Sequence, residues 1–201
     1  KRGMNILKKY LKDGYCRTAA EKLLHAERGT VLLTTGFYVA GYAETDGPLG
    51  TVAVAEALNH LGFHSVVVTD KYCKGFFELK QLDVEYVDIA ADEQVYEDIL
   101  DKYHPVYMIS IERCGENAEH EYANMRGVSI TSETAAIDHL FELAPEKHIP
   151  TIGVGDGGNE IGMGNVKDII SEKLELNPCV VPVDDLIIAT TSNWGAYALT
   201  A

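Results

Sequence analysis

Short apolar runs alternate along the chain with segments whose apolar residues recur at helical spacing. The runs predict strands at residues 30–36, 64–70, 84–89, 106–111, 149–154 and 185–190. The helical spacing predicts helices at 4–12, 17–28, 48–61, 92–103, 161–174 and one that begins at Glu133. Because the strands are short and show little polar alternation, they are typical of a parallel sheet that is covered on both faces. We therefore expect a three-layer α/β fold of the Rossmann-like kind, with a mostly parallel sheet of about six strands.

No internal repeat or linker interrupts this alternation, so we expect a single α/β domain over residues 1–201. Within it, residues 1–29 are expected to form leading helices, and residues 30–201 the principal α/β unit. The closing stretch, residues 191–201, has the pattern of a loop followed by the first turns of a helix. We therefore expect the natural chain to continue beyond it.

The charge balance narrows the range of partners. The chain has 31 acidic and 17 basic residues, which gives a formal net charge of −14. Proteins bind nucleic acids and anionic membranes largely through Lys and Arg, so this balance argues against both partners. The sequence leaves open whether the protein forms a homo-oligomer.

The four cysteines favour a reducing compartment. They lie at Cys16, Cys73, Cys114 and Cys179 without the close spacing of a zinc site, and we interpret them as buried free thiols. No apolar run reaches the roughly 18 residues of a membrane span, and the first residues lack the long apolar stretch of a signal peptide. We therefore predict a cytoplasmic protein.

The segment 151–165 joins a short apolar run to a loop that is rich in glycine and acid. Five of its glycines, at 153, 155, 157, 158 and 162, free the backbone to adopt positive φ and to approach a ligand closely. Asp156, Asn159, Glu160 and Asn165 are its strongly polar side chains. A solvated turn would need neither this many glycines nor carboxylate and amide groups at such close spacing. We therefore predict a binding loop between a strand and a helix.

Polar side chains also follow other predicted strands. Because the carboxyl ends of parallel strands meet at one edge of a sheet, these clusters are expected to converge, and ligands of open sheets bind at that edge. The clusters are Glu44 and Asp46; Glu112, Arg113 and Asn117; Asp156, Asn159 and Glu160; and Ser192 and Asn193.

Three interpretations of the central loop compete. The glycine pattern at 153, 155 and 158 formally matches a dinucleotide fingerprint, but it follows the fifth strand and carries acids that would repel a pyrophosphate, so we expect no nucleotide cofactor. Alternatively, Glu44, Asp46, Asp156 and Glu160 could supply the carboxylate oxygens that Mg²⁺ and Mn²⁺ prefer. The third interpretation is that these acids cap helix N-termini, which would explain one carboxylate per helix.

Four ordered motifs in these loops are similar to those of the D-glutamate cyclase family, specifically to its C-terminal catalytic-type domain. They are Glu44–Gly50, Asn124–Gly127, Gly153–Asn165 and Ser192–Tyr197, and the resemblance covers nearly all of residues 30–201. It implies an enzyme of the lyase class that converts D-glutamate, a small anionic metabolite, to 5-oxo-D-proline with loss of water. It also implies the help of a divalent cation, Mn²⁺ or Mg²⁺.

The chemistry of that reaction assigns hypothetical roles to the loop residues. A γ-carboxylate is a poor electrophile and the attacking amine must be neutral, so the site needs a cation and a base. Asp156, Glu160 and Glu112 are therefore the candidate catalytic residues, and an arginine would hold the α-carboxylate unless it forms a surface ion pair. The candidate substrate-binding residues are Arg113, Arg126, Asn117, Asn159, Gly157, Gly158, Ser192 and Asn193.

Two other functions fit the same side chains. A carboxylate-bound Mn²⁺ or Mg²⁺ that activates water could hydrolyse a small phosphorylated metabolite, with the glycine-loop amides around the phosphate. A metabolite or metal sensor without catalysis is the third alternative. Release of phosphate, formation of a lactam, or absence of turnover would distinguish the three.

Overall fold

The computed structural model describes residues 3–201, and the central feature of this part is a parallel sheet. In chain order the strands are β1 (Thr30–Thr35), β2 (Tyr38–Val39), β3 (Tyr42–Ala43), β4 (His64–Thr69), β5 (Asp83–Tyr86), β6 (Tyr107–Ile111), β7 (Thr151–Gly155) and β8 (Asp185–Ile188). Strands β2 and β3 form a separate antiparallel hairpin, which the sequence analysis did not predict. The other six strands lie in the order β5-β4-β1-β6-β7-β8, and all neighbours are parallel. The predicted strands and the parallel sheet are therefore confirmed.

The strand order fixes where a ligand site belongs. From β1 the chain moves outward through β4 to β5, and it then returns to β6 on the other side of β1. The direction in which successive strands are added to the sheet thus reverses between β1 and β6. These two strands are parallel, and Val31 pairs with Tyr107 and Thr35 with Ile111. Open α/β sheets bind ligands beyond the carboxyl ends of the strands at such a switch point.

Helices cover both faces of the sheet. They are α1 (Met4–Leu7), α2 (Tyr15–His25), α3 (Pro48–His60), α4 (Gln94–Tyr103), α5 (His139–Leu143), α6 (Lys167–Leu174) and α7 (Ser192–Leu199). None of the helices among residues 3–201 combines the length and the apolar character that a membrane crossing requires.

The two faces of β1 show how the layers form. Successive side chains of a strand point to opposite faces. Leu32 accordingly packs in a cluster with residues of α1, α4, α5 and α6, whereas Leu33 packs in a second cluster with residues of α2, α3 and α7. Both leucines are buried. These two apolar clusters confirm the expected three-layer, Rossmann-like arrangement.

The prediction of a helix that begins at Glu133 is wrong. Residues 131–133 form only a short 3₁₀ turn, and α5 begins at His139. Two tertiary bonds account for the difference. Arg113 donates to the carbonyl oxygen of Ala135 at 2.7 Å, and Asp138 accepts the backbone N–H of Glu116 at 2.7 Å. Both engage the segment with partners outside any local helix, so periodicity alone could not reveal them.

Two further helix boundaries also differ from prediction. The first leading helix ends at Leu7 and continues as a 3₁₀ turn over 8–10, and residues 1 and 2 of the leading region lie outside the described residues. The helix that was expected from residue 161 begins at Lys167 instead. Gly162 has φ of 102°, a left-handed conformation that excludes it from a helix.

Candidate active site

Three carboxylates meet at the switch point between β1 and β6. One oxygen each of Asp46, Glu112 and Asp156 lies within 4.8 Å of the other two. Asp46 precedes α3 in the connection from β1, Glu112 directly follows β6, and Asp156 directly follows β7. The predicted convergence of these loops is thereby observed in the structure. We call these three residues the acidic triad.

Asp46 is held by the N-terminus of α7. Its two carboxylate oxygens accept the backbone N–H groups of Ser192 at 3.0 Å and of Asn193 at 2.7 Å. A helix N-terminus leaves its first N–H groups unpaired and carries partial positive charge, so a carboxylate is favoured there. Asp46 therefore does bind a helix N-terminus, as the capping interpretation proposed, but the helix is α7 and not the α3 that follows it.

The side chain of Asn193 binds the backbone of the segment that contains Asp46. Its Oδ1 accepts the N–H groups of Gly47 at 2.9 Å and Gly50 at 2.7 Å, and its Nδ2 donates to the carbonyl oxygen of Thr45 at 2.9 Å. Gly47 has φ of 99°, and a Cβ there would lie 2.6 Å from the hydroxyl oxygen of Thr35. The backbone can pass this close to β1 only because residue 47 is glycine.

Glu112 is one of the two buried members of the triad, together with Asp156. It is 2% exposed, it has φ of 49°, and the hydroxyl of Ser192 donates a hydrogen bond to its Oε2. Burial raises the pKa of the Glu112 carboxyl well above its ordinary value, and the nearby carboxylates of Glu160, Asp156 and Asp46 raise it further. Carboxylates that lie close together in a buried place repel one another, and a cation bound between them would offset this repulsion.

The Glu160 side chain binds the backbone of its own loop. Its carboxylate is fully buried and accepts the backbone N–H groups of Asp156 at 3.1 Å, Gly157 at 2.6 Å and Gly158 at 2.6 Å. Burial raises the pKa of Glu160, although these amide bonds act in the opposite direction. Both of its oxygens are engaged with backbone amides, and Glu160 does not belong to the triad that could hold a metal ion.

A cleft of about 390 Å³ opens beside the triad. Glu112 and the half-buried Glu44 line it on the acidic side, and Arg126, Asn124 and Asn159 contribute other parts of its wall. Glu44 therefore lies at the site without belonging to the triad. The cleft combines carboxylates with an exposed guanidinium, which suits a ligand that carries both an amine and a carboxylate.

A second cleft of about 370 Å³ shares part of this wall. Asn124, Arg126 and Asn159 line both clefts, while Asn117, Gly157 and Gly158 line only the second. Of the eight residues predicted to bind substrate, five therefore face this second cleft: Arg126, Asn117, Asn159, Gly157 and Gly158.

Asn117 and Asn159, two of the three asparagines predicted to bind substrate, also hold the surrounding loops in place. Asn117 is buried, and its Oδ1 accepts the N–H groups of Glu119 and Glu121, each at 3.0 Å. Asn159 donates from Nδ2 to the carbonyl oxygen of Ala123 at 2.7 Å. The Asn117 bonds fold the long connection after β6 onto itself, and the Asn159 bond ties that connection to the glycine loop after β7.

Arg113 lies away from both clefts. Its guanidinium is fully buried and donates to Asp70 Oδ2 at 2.6 Å, to the carbonyl oxygen of Gly36 at 3.0 Å and to that of Ala135 at 2.7 Å. This arrangement is typical of a structural ion pair, whereas Arg126 lines both clefts. Sequence reasoning gave the two arginines equal weight, because it could not predict which one would be buried.

The donor set of the triad fits a hard divalent cation. Mg²⁺ and Mn²⁺ prefer carboxylate oxygens and complete their coordination with water or substrate. Sequence reasoning placed Glu112 among the catalytic residues and omitted it from the metal ligands. A clue was nevertheless present, because Glu112 directly follows the strand that neighbours β1 at the switch point.

Comparisons with known proteins agree with the motifs. The family model for "D-glutamate cyclase-like, C-terminal" matches residues 1–201. The Homo sapiens protein "D-glutamate cyclase, mitochondrial" is 34% identical to this chain over 208 residues, which make up 90% of this chain and 33% of the human protein. The chain therefore spans about a third of the length of that curated relative.

Solved structures resemble the chain more distantly. UDP-glucose 4-epimerase from Thermotoga maritima is 15% identical, with a TM-score of 0.43 over 73% of this chain and 52% of the epimerase. The Thermus thermophilus UDP-glucose 4-epimerase with NAD is 14% identical, with the same TM-score and coverage. Likeness at this level carries no argument about function. The family model covers the whole chain and the motifs line the observed site, so the chain belongs to the D-glutamate cyclase-like family.

Proposed function

We propose that this chain is a D-glutamate cyclase-like lyase that converts D-glutamate to 5-oxo-D-proline with loss of water. The acidic triad beside a cleft that also bears Arg126 is the single observation that carries the proposal. Membership of the family and the name of the human relative support the same reaction. Asp46, Glu112 and Asp156 would hold a divalent cation, Mn²⁺ or Mg²⁺.

The reaction moves two protons and breaks one carbon–oxygen bond. The α-ammonium group of D-glutamate must lose one proton before its nitrogen can attack the γ-carboxyl carbon, and the nitrogen loses a second proton as the lactam forms. The new nitrogen–carbon bond closes the lactam ring, and one γ-oxygen leaves with the two protons as water. The substrate and the lactam each carry a net charge of about −1, as the usual pKa values of carboxyl and amino groups dictate. The site therefore needs a proton carrier and positive charge near the γ-carboxyl group.

Glu44 and Arg126 are the residues that we assign to the substrate. Glu44 lines the same cleft as Glu112 but lies outside the triad, so its carboxylate can accept a proton from the ammonium group. Arg126 can bind the α-carboxylate through two parallel hydrogen bonds. When bound, the divalent cation supplies the positive charge that polarises the γ-carboxyl group. Asn124 and Asn159 would orient the substrate between these two ends.

The hydrogen bonds of the glycine loop argue against the phosphohydrolase alternative. It requires the amides of residues 156–158 to surround a phosphate, whereas these amides donate to Glu160. We therefore keep phosphate release only as an outcome of the test.

The test measures turnover and cation binding on the same purified protein. D-glutamate, L-glutamate and a simple phosphate ester are supplied with and without Mn²⁺ or Mg²⁺, and 5-oxoproline and phosphate are quantified. We expect 5-oxoproline from D-glutamate alone, loss of turnover and of cation binding in Asp156→Asn, and a raised KM in Arg126→Met. Asp168→Asn is the matched control, because Asp168 is exposed on α6. Phosphate release, or full activity of Asp156→Asn, would overturn the proposal.

A further inference from the structure

Asp46 is bracketed by one asparagine side chain. Asn193 binds the carbonyl oxygen of Thr45, the residue before Asp46, and the N–H of Gly47, the residue after it. The same side chain also accepts the N–H of Gly50 in the first turn of α3. The position of Asp46 relative to α7 is therefore fixed by bonds on both sides of the residue, in addition to the bonds made by its own carboxylate.

The first turn of α7 contacts two members of the acidic triad. The backbone N–H groups of Ser192 and Asn193 hold the carboxylate of Asp46, and the Ser192 hydroxyl donates to Glu112. The third member, Asp156, stands on a separate loop after β7. The distance between Asp46 and Glu112 thus depends on how the segment 45–50 is seated on α7.

We propose that Asn193 is a positioning residue, which acts through the segment 45–50 to hold Asp46 in register with the other two carboxylates. The significance of this register for catalysis rests on the proposed function. Asn193 was predicted from the sequence to bind substrate, and the new role assigns its amide group to the protein backbone instead.

Loss of this side chain would leave polar groups without their present partners. Asn193→Ala removes one acceptor from Gly47 and Gly50 and one donor from Thr45. Gly47 and Gly50 are both buried, so their N–H groups cannot simply turn to water, and the segment must shift to satisfy them. Such a shift moves Asp46 away from the Ser192 amide. Precise placement of ligands by residues behind them is a general requirement of metal sites.

The experiment has one measurement that needs no cation and one that does. Hydrogen exchange of the Ser192 amide reports whether Asp46 still holds it, and calorimetric titration with Mn²⁺ alone reports the dissociation constant. In Asn193→Ala we expect exchange at Ser192 to become about tenfold faster or more and the Mn²⁺ dissociation constant to rise about tenfold or more. Asn193→Asp keeps the acceptor oxygen for Gly47 and Gly50 but turns a second acceptor toward the Thr45 carbonyl oxygen, so it should restore only part of the protection at Ser192.

Asn165→Ala is the matched control. Asn165 also bridges backbone groups, since it donates to the Val183 carbonyl oxygen and accepts the Val183 N–H, each at 2.9 Å, but it is exposed in the 3₁₀ turn Met163–Val166. Both readouts should stay within about twofold of the wild type, as is usual for a surface change. Unchanged exchange at Ser192, or unchanged Mn²⁺ affinity, in Asn193→Ala would overturn the positioning role. A wild type that binds neither Mn²⁺ nor Mg²⁺ would contradict the proposed function, and hydrogen exchange alone would then decide the positioning.

Discussion

The carboxylate of Glu160 accepts the backbone N–H of Gly157 at 2.6 Å and occupies a concave group of amides formed by residues 156–158. Consecutive backbone N–H groups of this kind bind phosphates and other anions in many proteins. Here the anion is a side chain of the protein itself. The loop therefore has the glycine spacing of a phosphate-binding loop while its amides are engaged internally.

Replacing Glu160 with glutamine should destabilise the protein markedly. Glutamine keeps one acceptor oxygen but turns an NH₂ group toward amides that also donate, which leaves a buried donor unsatisfied. We expect the free energy of unfolding to fall by about 2 kcal/mol or more, as measured by urea denaturation at neutral pH. Glu172→Gln is the control, because Glu172 is exposed and its carboxylate forms a surface ion pair with the neighbouring Lys173. It should change the free energy of unfolding by no more than about 0.5 kcal/mol.

The buried ion pair of Arg113 with Asp70 gives a second prediction. Their atoms lie 2.6 Å apart, and both side chains are almost fully buried. Arg113→Met leaves the Asp70 carboxylate without its partner, so the free energy of unfolding should fall by about 3–5 kcal/mol. Adding Asp70→Asn to Arg113→Met should recover part of that loss, because the uncompensated charge is gone. An Arg113→Met variant as stable as the wild type would contradict a structural role for the pair.

A surface pair provides the comparison for Arg113. Arg17 and Glu21 also lie 2.7 Å apart, but their side chains are 83% and 54% exposed. Arg17→Ala should therefore change the free energy of unfolding by less than about 0.5 kcal/mol. The contrast tests burial, since the two pairs have nearly the same distance.

The sheet and its functional edge could be predicted from the sequence. The strand 106–111 is apolar except for Ser110 and shows no polar alternation, and buried parallel strands are the usual cause of that pattern. Once the strands are parallel, the loops after β1, β6 and β7 must lie at one edge. The hairpin of β2 and β3 was missed, because two-residue strands leave no periodicity to detect.

The membership of the triad could not be predicted in the same way. Glu44 and Asp46 lie in one loop, and only the tertiary contact of Asp46 with α7 selects the second of them. Glu112 and Glu160 both follow strands, but the backbone conformation turns Glu160 toward the amides of its own loop. These choices depend on contacts between segments far apart in the chain, such as residues 46 and 192, which local patterns do not record.

Gly47 gives a third prediction, for which Gly62 is a matched control. Both have positive φ, at 99° and 87°, so alanine is strained at either position. At Gly47 a Cβ would lie 2.6 Å from the Thr35 hydroxyl oxygen and 2.8 Å from the Cβ of Glu112, whereas nothing lies within 4 Å at Gly62. We expect Gly62→Ala to cost about 1 kcal/mol and Gly47→Ala about 3 kcal/mol, because only the latter adds a steric clash to the backbone strain. Equal losses in urea denaturation would show that the segment at Gly47 can move away from Glu112.

Asp138 should make the stability of the protein depend on pH between about 4 and 6. Burial raises the pKa of its carboxyl to about 6, against the effect of hydrogen bonds from the Tyr122 hydroxyl and the Glu116 N–H. In the unfolded chain an aspartate has a pKa of about 3.9. The folded state therefore keeps the proton to higher pH, and the stabilisation is complete below about pH 4 and is lost as pH rises through about 6.

The matched variants for this prediction are Asp138→Asn and Tyr122→Phe. Asp138→Asn cannot ionise, so the stability of the wild type relative to this variant should fall by about 2 kcal/mol between pH 4 and pH 7. Urea denaturation at intervals of one pH unit measures this difference, and the other carboxylates cancel because both proteins contain them. Tyr122→Phe removes the hydroxyl that donates to Asp138 Oδ1, which favours the charged form, so its loss of stability should move to higher pH. Curves for the wild type and Asp138→Asn that stay parallel over this range would mean that Asp138 titrates alike in the folded and unfolded states.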